Sequence, residues 1–157
     1  MNEEKLNRLP ADVKKQFLKY AIKLSEKKQK SKVHEDFLTF VKHVWPEFIE
    51  GEHHKKIAEK FNEIANKKIK RLIINMPPRH TKSEFASFLL PSWMVGRKPD
   101  LKIIQTTHTT ELAIRFGRKA KNLMDSPEYK QVFSTRLRED SQAAGKWETE
   151  QGGEYYA

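Results

Sequence analysis

The side chains best placed to do chemistry lie in residues 73–84, IINMPPRHTKSE. A phosphate-binding loop needs a strand to deliver it, several inward-turned backbone N–H groups, a lysine for the β and γ phosphates, and a Ser or Thr hydroxyl for magnesium at a helix N-terminus. Each part has a candidate. The apolar run 71–76 (RLIINM) supplies the strand, Lys82 the cation and Ser83 the hydroxyl, and a helix starting there turns its positive end toward the anion. Arg79 and His80 add donors. Against the pattern GxxxxGK[ST], Met76 stands at the first glycine position and Thr81 at the second, so only the Lys-Ser pair is intact. Thr81 must adopt a backbone geometry that glycine accepts more easily and that strains a β-branched residue. From these residues alone, the segment reads equally as a nucleotide site or an ordinary loop.

Other polar residues have two readings each. His53 and His54 open a helix and read as a surface pair; a metal would need a third ligand, and none is evident. His108, with Thr106, Thr107, Thr109 and Thr110, follows a strand, where ligands of α/β proteins bind, but Thr109 or Thr110 equally suits a helix cap. Trp45, Trp93 and Trp147 read as core or partly buried anchors.

These residues need elements to position them. Val13, Phe17, Tyr20, Ala21 and Leu24 recur at helical spacing, which predicts an amphipathic helix over residues 11–26. The following EKKQKSK has nothing apolar to bury and reads as an exposed linker, either a solvated helix end or a contact for DNA phosphate. The stripe Phe37, Phe40, Val41, Val44 and Trp45 predicts a second helix ending at Pro46, and Ile57, Phe61, Ile64 and Ala65 a third over residues 53–67. Then the pattern changes. Residues 71–76 and 101–106 (LKIIQT) have strand length, and each is followed by a helical stripe: Phe85, Ala86, Leu89 and Leu90, stopping near Pro91, then Leu112, Ala113, Phe116, Ala120 and Leu123. Strand, helix, strand, helix argues for an α/β fold with a parallel sheet and flanking helices, built from right-handed βαβ units. Residues 134–146 read as a loop, residues 147–157 as room for one more strand, and Gly152 and Gly153 as a turn into Tyr155 and Tyr156.

Composition narrows the function. The chain of 157 residues and 18.5 kDa has the size of one domain. Hydrophobic residues make up 37% and charged residues 33%, with a mean hydropathy of -0.81; this is polar, yet too rich in aromatics to be disordered throughout. The lack of cysteine excludes a disulfide framework, a thiolate metal site and a cysteine nucleophile. No apolar run is long enough for a bilayer, and MNEEKLNRLP is no signal peptide, so a soluble, cytosolic protein is expected. The net charge of +10 and pI near 9.7 favour a polyanionic partner. Residues 1–32 hold ten basic and four acidic side chains, which places +6 of that charge on one fifth of the chain.

Residues 34–157 resemble the N-terminal ATPase half of the tailed-phage terminase large subunit. The resemblance is carried by MPPRHTKSEFASFLLPSW (residues 76–93), GRKPDLKIIQTTHTTELAIRFGR (residues 96–118) and AAGKWETEQGGEYYA (residues 143–157), in the family's order. The family's loop commonly reads PPRHGKSE, so Thr81 is a departure. The resemblance implies a P-loop NTPase-type parallel sheet with flanking helices, incomplete, preceded by a basic helical segment over residues 1–33. It implies a virus-encoded motor in the host cytoplasm that hydrolyses ATP with Mg2+ to package double-stranded DNA into procapsids. The portal protein, the terminase small subunit and further copies of the motor are the implied partners, with no membrane. Pro78, Arg79, His80, Thr81, Lys82 and Ser83 become the nucleotide-binding set. Lys82 would contact the β and γ phosphates, Arg79 would stabilise charge on the transferring group, and Ser83 would sit on magnesium. Arg115 and Arg118 could face DNA or a neighbouring subunit, or be solvated helix charges.

Phosphoryl transfer also needs acids after a hydrophobic strand to hold metal and position water. The two strand candidates end in Asn75 and Gln105, and in relatives the acids follow shortly after GGEYYA. A truncated or split terminase is therefore expected, without its Walker B strand or nuclease domain, hydrolysing ATP poorly or not at all alone. The alternative is a non-catalytic basic module binding nucleic acid or another packaging protein through residues 1–32. A helicase-like or recombination ATPase is more distant.

Overall fold

The computed structural model describes residues 10–157, and the expectations for residues 1–9 lie outside it. Helix α1 (Ala11–Glu35) is followed by α2 (Phe37–Val44) and α3 (Glu52–Ala65). The next helix has three continuous segments: α4 (Lys82–Glu84), a π-helical stretch Phe85–Leu89, and α5 (Leu90–Arg97). Then come β1 (Lys102–Ile104), α6 (Thr110–Asp125), α7 (Pro127–Val132), β2 (Leu137–Ala143), β3 (Lys146–Thr149) and β4 (Glu154–Tyr156). No described helix is long and apolar enough to cross a membrane.

Two helical expectations need correction. The EKKQKSK run is not a linker; its other reading, a solvated helix end, is the observed one, an exposed continuation of α1, because Lys, Gln and Glu all favour helix and none needs a buried partner. The helix after the loop does not stop at Pro91. The π turn lets Leu90 N–H bond Phe85 O, five residues back, and this shift accommodates a proline that has no N–H to give.

The core is aromatic and centres on Phe37. Its ring meets Phe61 at 5.1 Å, Phe85 at 5.4 Å and Trp93 at 5.5 Å, so α2, α3 and both ends of the 82–97 helix converge on one side chain. The start of α2 is fixed by a reciprocal lock. Asp36 accepts from Thr39 N–H at 2.7 Å and from Asn62 Nδ2 at 2.8 Å, while Asn62 Oδ1 accepts from Phe37 N–H at 2.9 Å. Burial alone would raise the Asp36 carboxyl, but these hydrogen bonds outweigh it and hold it below its ordinary value. Trp93 donates to Val33 O at 3.1 Å and Tyr129 to Ser92 O at 2.8 Å, so the buried polar atoms of these rings are satisfied. Trp93 and Trp147 are fully buried, as anchors should be.

The sheet has four strands in the order β1-β4-β3-β2. Parallel pairing is confined to β1 and β4, with Ile103 opposite Tyr155; β4, β3 and β2 are antiparallel, so the sheet is mixed where a parallel one was expected. Residues 134–146 are not all loop, since β2 occupies most of them. Its polar sequence LREDSQA hides a strand held by its hairpin with β3, and the terminal segment forms two strands rather than one.

Residues 71–76 are the main departure. They alternate as a strand would, with Leu72, Ile74 and Met76 packed on the core and Ile73 86% exposed, but they join no ladder. The free edge of β1 is equally unpaired, and Ile104 is 80% exposed. An apolar alternation fixes which face a segment buries; a ladder also needs a neighbouring strand, and among the described residues none lies beside this one.

Candidate phosphate-binding site

The loop between residues 76 and 82 turns twice through the left-handed region, at Arg79 (φ 64) and at Thr81 (φ 57). The geometry expected of a glycine is therefore present at Thr81, and it costs a β-branched residue on the order of 1–3 kcal/mol. Residues 77–84 line a depression of about 310 Å³.

Helix α4 begins at Lys82, as the sequence suggested, and its first intrahelical bond is Phe85 N–H to Thr81 O at 2.9 Å. The N–H groups of Lys82, Ser83 and Glu84 precede that bond and have no intrahelical acceptor. No side chain caps them. Thr81 would be the natural cap, but its hydroxyl is turned away: it lies 2.7 Å from His80 O and 2.6 Å from His54 Nε2. The side chains of Arg79, Lys82 and Ser83 make no ion pair or hydrogen bond among the described residues, while Glu84 is held by Lys119 at 2.8 Å. His80 Nδ1 lies 2.9 Å from Pro78 O, which braces the turn from within.

The loop thus offers a half-exposed lysine, an arginine, a hydroxyl and three open N–H groups at the positive end of a 16-residue helical run. That arrangement suits a multiply charged oxyanion. All six residues the sequence selected, Pro78 to Ser83, line this depression. No protein-family model, curated protein or solved structure matches the chain. The residues themselves carry the reading.

His54 is not half of a surface pair as its place at a helix start suggests. It is buried, 6% exposed, because Phe48 (4.8 Å) and Phe85 (5.2 Å) close over its ring. Its Nδ1 accepts from Gly51 N–H at 2.9 Å at the start of α3. Burial, and then the neighbouring charge of His53, pushes the imidazole below its ordinary pKa; Glu50 opposes this and His80 adds to it. No sequence signal placed it beside Thr81, 27 residues on, since only the fold joins α3 to the loop. The rings of His53 and His80 stand 5.7 Å apart, yet no group of three or more His, Asp or Glu among the described residues could hold a metal.

At the second strand-loop-helix junction the capping alternative is the observed one. Thr109 accepts from Leu112 N–H at 3.3 Å, and His108 is exposed. Arg115 and Arg118 are exposed on α6 with no partner among the described residues. Gly117, between them, packs so closely that a Cβ would lie 2.3 Å from Ala144 O, and Trp147 donates to Gly117 O at 3.3 Å. In the described strands, adjacent acids occur at Glu139 and Asp140 of β2; both are exposed, with Asp140 bonded to Arg138 at 2.6 Å.

Proposed function

We propose that residues 77–84 bind the phosphate tail of ATP, and that the chain is the N-terminal part of a P-loop-type, DNA-packaging ATPase resembling the terminase large subunit. The observation that carries this is the open start of α4: three N–H groups and the Lys82 ammonium lie together with no partner among the described residues, while the hydroxyl that should cap the helix is engaged elsewhere. A bare helix start next to a lysine and an arginine is suited to an anion.

In this reading Lys82 lies against the β and γ phosphates, Ser83 supplies an oxygen to magnesium, and Arg79 reaches the terminal phosphate. The metal would neutralise phosphate charge. Ser83 alone does not make a metal site, so magnesium would arrive with the nucleotide. The loop would supply binding and charge stabilisation; Glu84 is the one carboxylate in residues 77–84, and it is tied to Lys119.

Double-stranded DNA is the proposed cargo, met at its backbone. The exposed Lys27, Lys28 and Lys30 on α1 favour a second reading, a basic module whose loop has no catalytic part. One calorimetric comparison separates the two. Lys82→Ala should abolish measurable Mg-ATP binding, and neutralising the three α1 lysines should leave it unchanged. Intact ATP binding in Lys82→Ala, with a salt-sensitive DNA complex lost on neutralising α1, decides for the basic module.

A further inference from the structure

Thr81 is where a phosphate loop would be expected to hold glycine, and its left-handed backbone needs something to secure it. We propose that His54 is the positioning residue of this loop, holding Thr81 in that turn through its hydroxyl and so keeping the start of α4 open. The inference rests on the phosphate-site reading above.

The polarity of the hydrogen bonds is forced from one end. Gly51 N–H can only donate, so His54 Nδ1, 2.9 Å away, carries no proton. The neutral ring then has its proton on Nε2, which donates to Thr81 Oγ1 at 2.6 Å. Thr81 Oγ1 in turn donates to His80 O at 2.7 Å. The relay runs one way, from the first residue before α3 to the loop. It uses the hydroxyl's proton and one lone pair, and it points the oxygen back into the protein, away from the N–H groups of Ser83 and Glu84. Phe48 and Phe85 clamp the ring, so the donor is fixed in place. Burial requires both ring nitrogens to be matched, and the partner of Nε2 is the residue that makes the left-handed turn.

The same chemistry gives the relay a pH limit. The groups facing His54 are His53 on its own helix, Glu50 before that helix, and Thr81 and His80 in the loop. A proton on Nδ1 would set two donors, that N–H and Gly51 N–H, against each other. Because the folded ring is the weaker base, the unfolded chain binds the extra proton, and stability is lost as pH falls below about 6.5.

A double-mutant cycle on the full chain tests this, with Mg-ATP affinity and thermal midpoint both measured. His54→Leu should weaken ATP binding about tenfold when residue 81 is threonine and less than about twofold when it is Thr81→Gly, because glycine holds the turn unaided. His54→Gln keeps an N–H donor within reach and should restore most of the affinity. Acidification below about pH 6.5 should weaken binding more in the unaltered chain than in Thr81→Gly, a comparison that cancels the titration of ATP itself. Equal losses from His54→Leu in both backgrounds would mean that the histidine is only packing, and would overturn the inference while leaving the phosphate site standing. If the unaltered chain binds no ATP, the phosphate-site reading fails instead. The thermal midpoints then decide the positioning role: coupling between the two positions upholds it, and additivity overturns it.

Discussion

Two threonines stand just before two helices in this chain, each after an extended apolar segment, and the fold finishes the two helix starts in opposite ways. Thr109 has extended backbone (φ -137), and its oxygen bonds Leu112 N–H in the ordinary manner of a cap. Thr81 is left-handed, and its hydroxyl is committed to His80 and His54, so the first turn of α4 stays bare. Residue type is therefore not what decides whether a helix start is closed. The deciding difference is a third element: α3 reaches the first threonine with a histidine, and among the described residues no buried side chain bonds the second. One junction is a structural joint, the other an open donor array.

The largest effect should come from the side chain that ties the open junction to the core. Phe85, one residue beyond α4, is fully buried against Phe37, Phe48 and His54, whereas Phe116 on α6 is 7% exposed and stacks on no aromatic ring among the described residues. Phe85→Ala should cost about 3–5 kcal/mol in urea unfolding, and Phe116→Ala should fall at or below the lower end of that range. A reversed order would place the mechanical centre of the molecule around α6, not at the loop.

A smaller effect is expected at the closed junction. Removing the cap with Thr109→Ala should lower stability by about 1 kcal/mol and leave Mg-ATP affinity within about twofold of its starting value. Impaired ATP binding in this variant would mean that both junctions face the ligand, and the contrast between them would disappear.

How much of this was legible beforehand depends on whether the information was local. The start of α4 at Lys82, the stripe through Phe37 and Phe40, and the burial of Trp93 and Trp147 follow from periodicity and residue type, which act over a few positions. The strain at Thr81 was equally readable, as a β-branched residue standing at a glycine position. What escaped is what the fold brings together. His54 meets Thr81 across 27 residues, β2 exists because β3 pairs with it despite its polar sequence, and residues 71–76 alternate like a strand without a neighbour to make them one. The passage of the helix through Pro91 was hidden for another reason: its π turn is a response of the backbone and not a composition.

The smallest predicted effect on stability says most about the field at the loop. An ion pair of 2.8 Å ties Glu84 at the open junction to Lys119 in the middle of α6, each side chain about one third exposed, and the lysine also lies 5.0 Å from the Phe88 ring centroid. Lys119→Met keeps the apolar stem on that ring and removes only the charge, so unfolding should change by less than about 1 kcal/mol. Its consequence for binding is separable. Glu84 sits in the first turn of α4, and without Lys119 its carboxylate would present an uncompensated negative charge beside the donors proposed for phosphate. Mg-ATP affinity should fall about two- to threefold below that of the unaltered chain at low salt, and the ratio should narrow as salt screens the repulsion. The sign distinguishes an anion site from a site read by shape alone: an affinity equal to that of the unaltered chain, or a deficit against it that widens with salt, would mean that the open helix start is not where the phosphates lie.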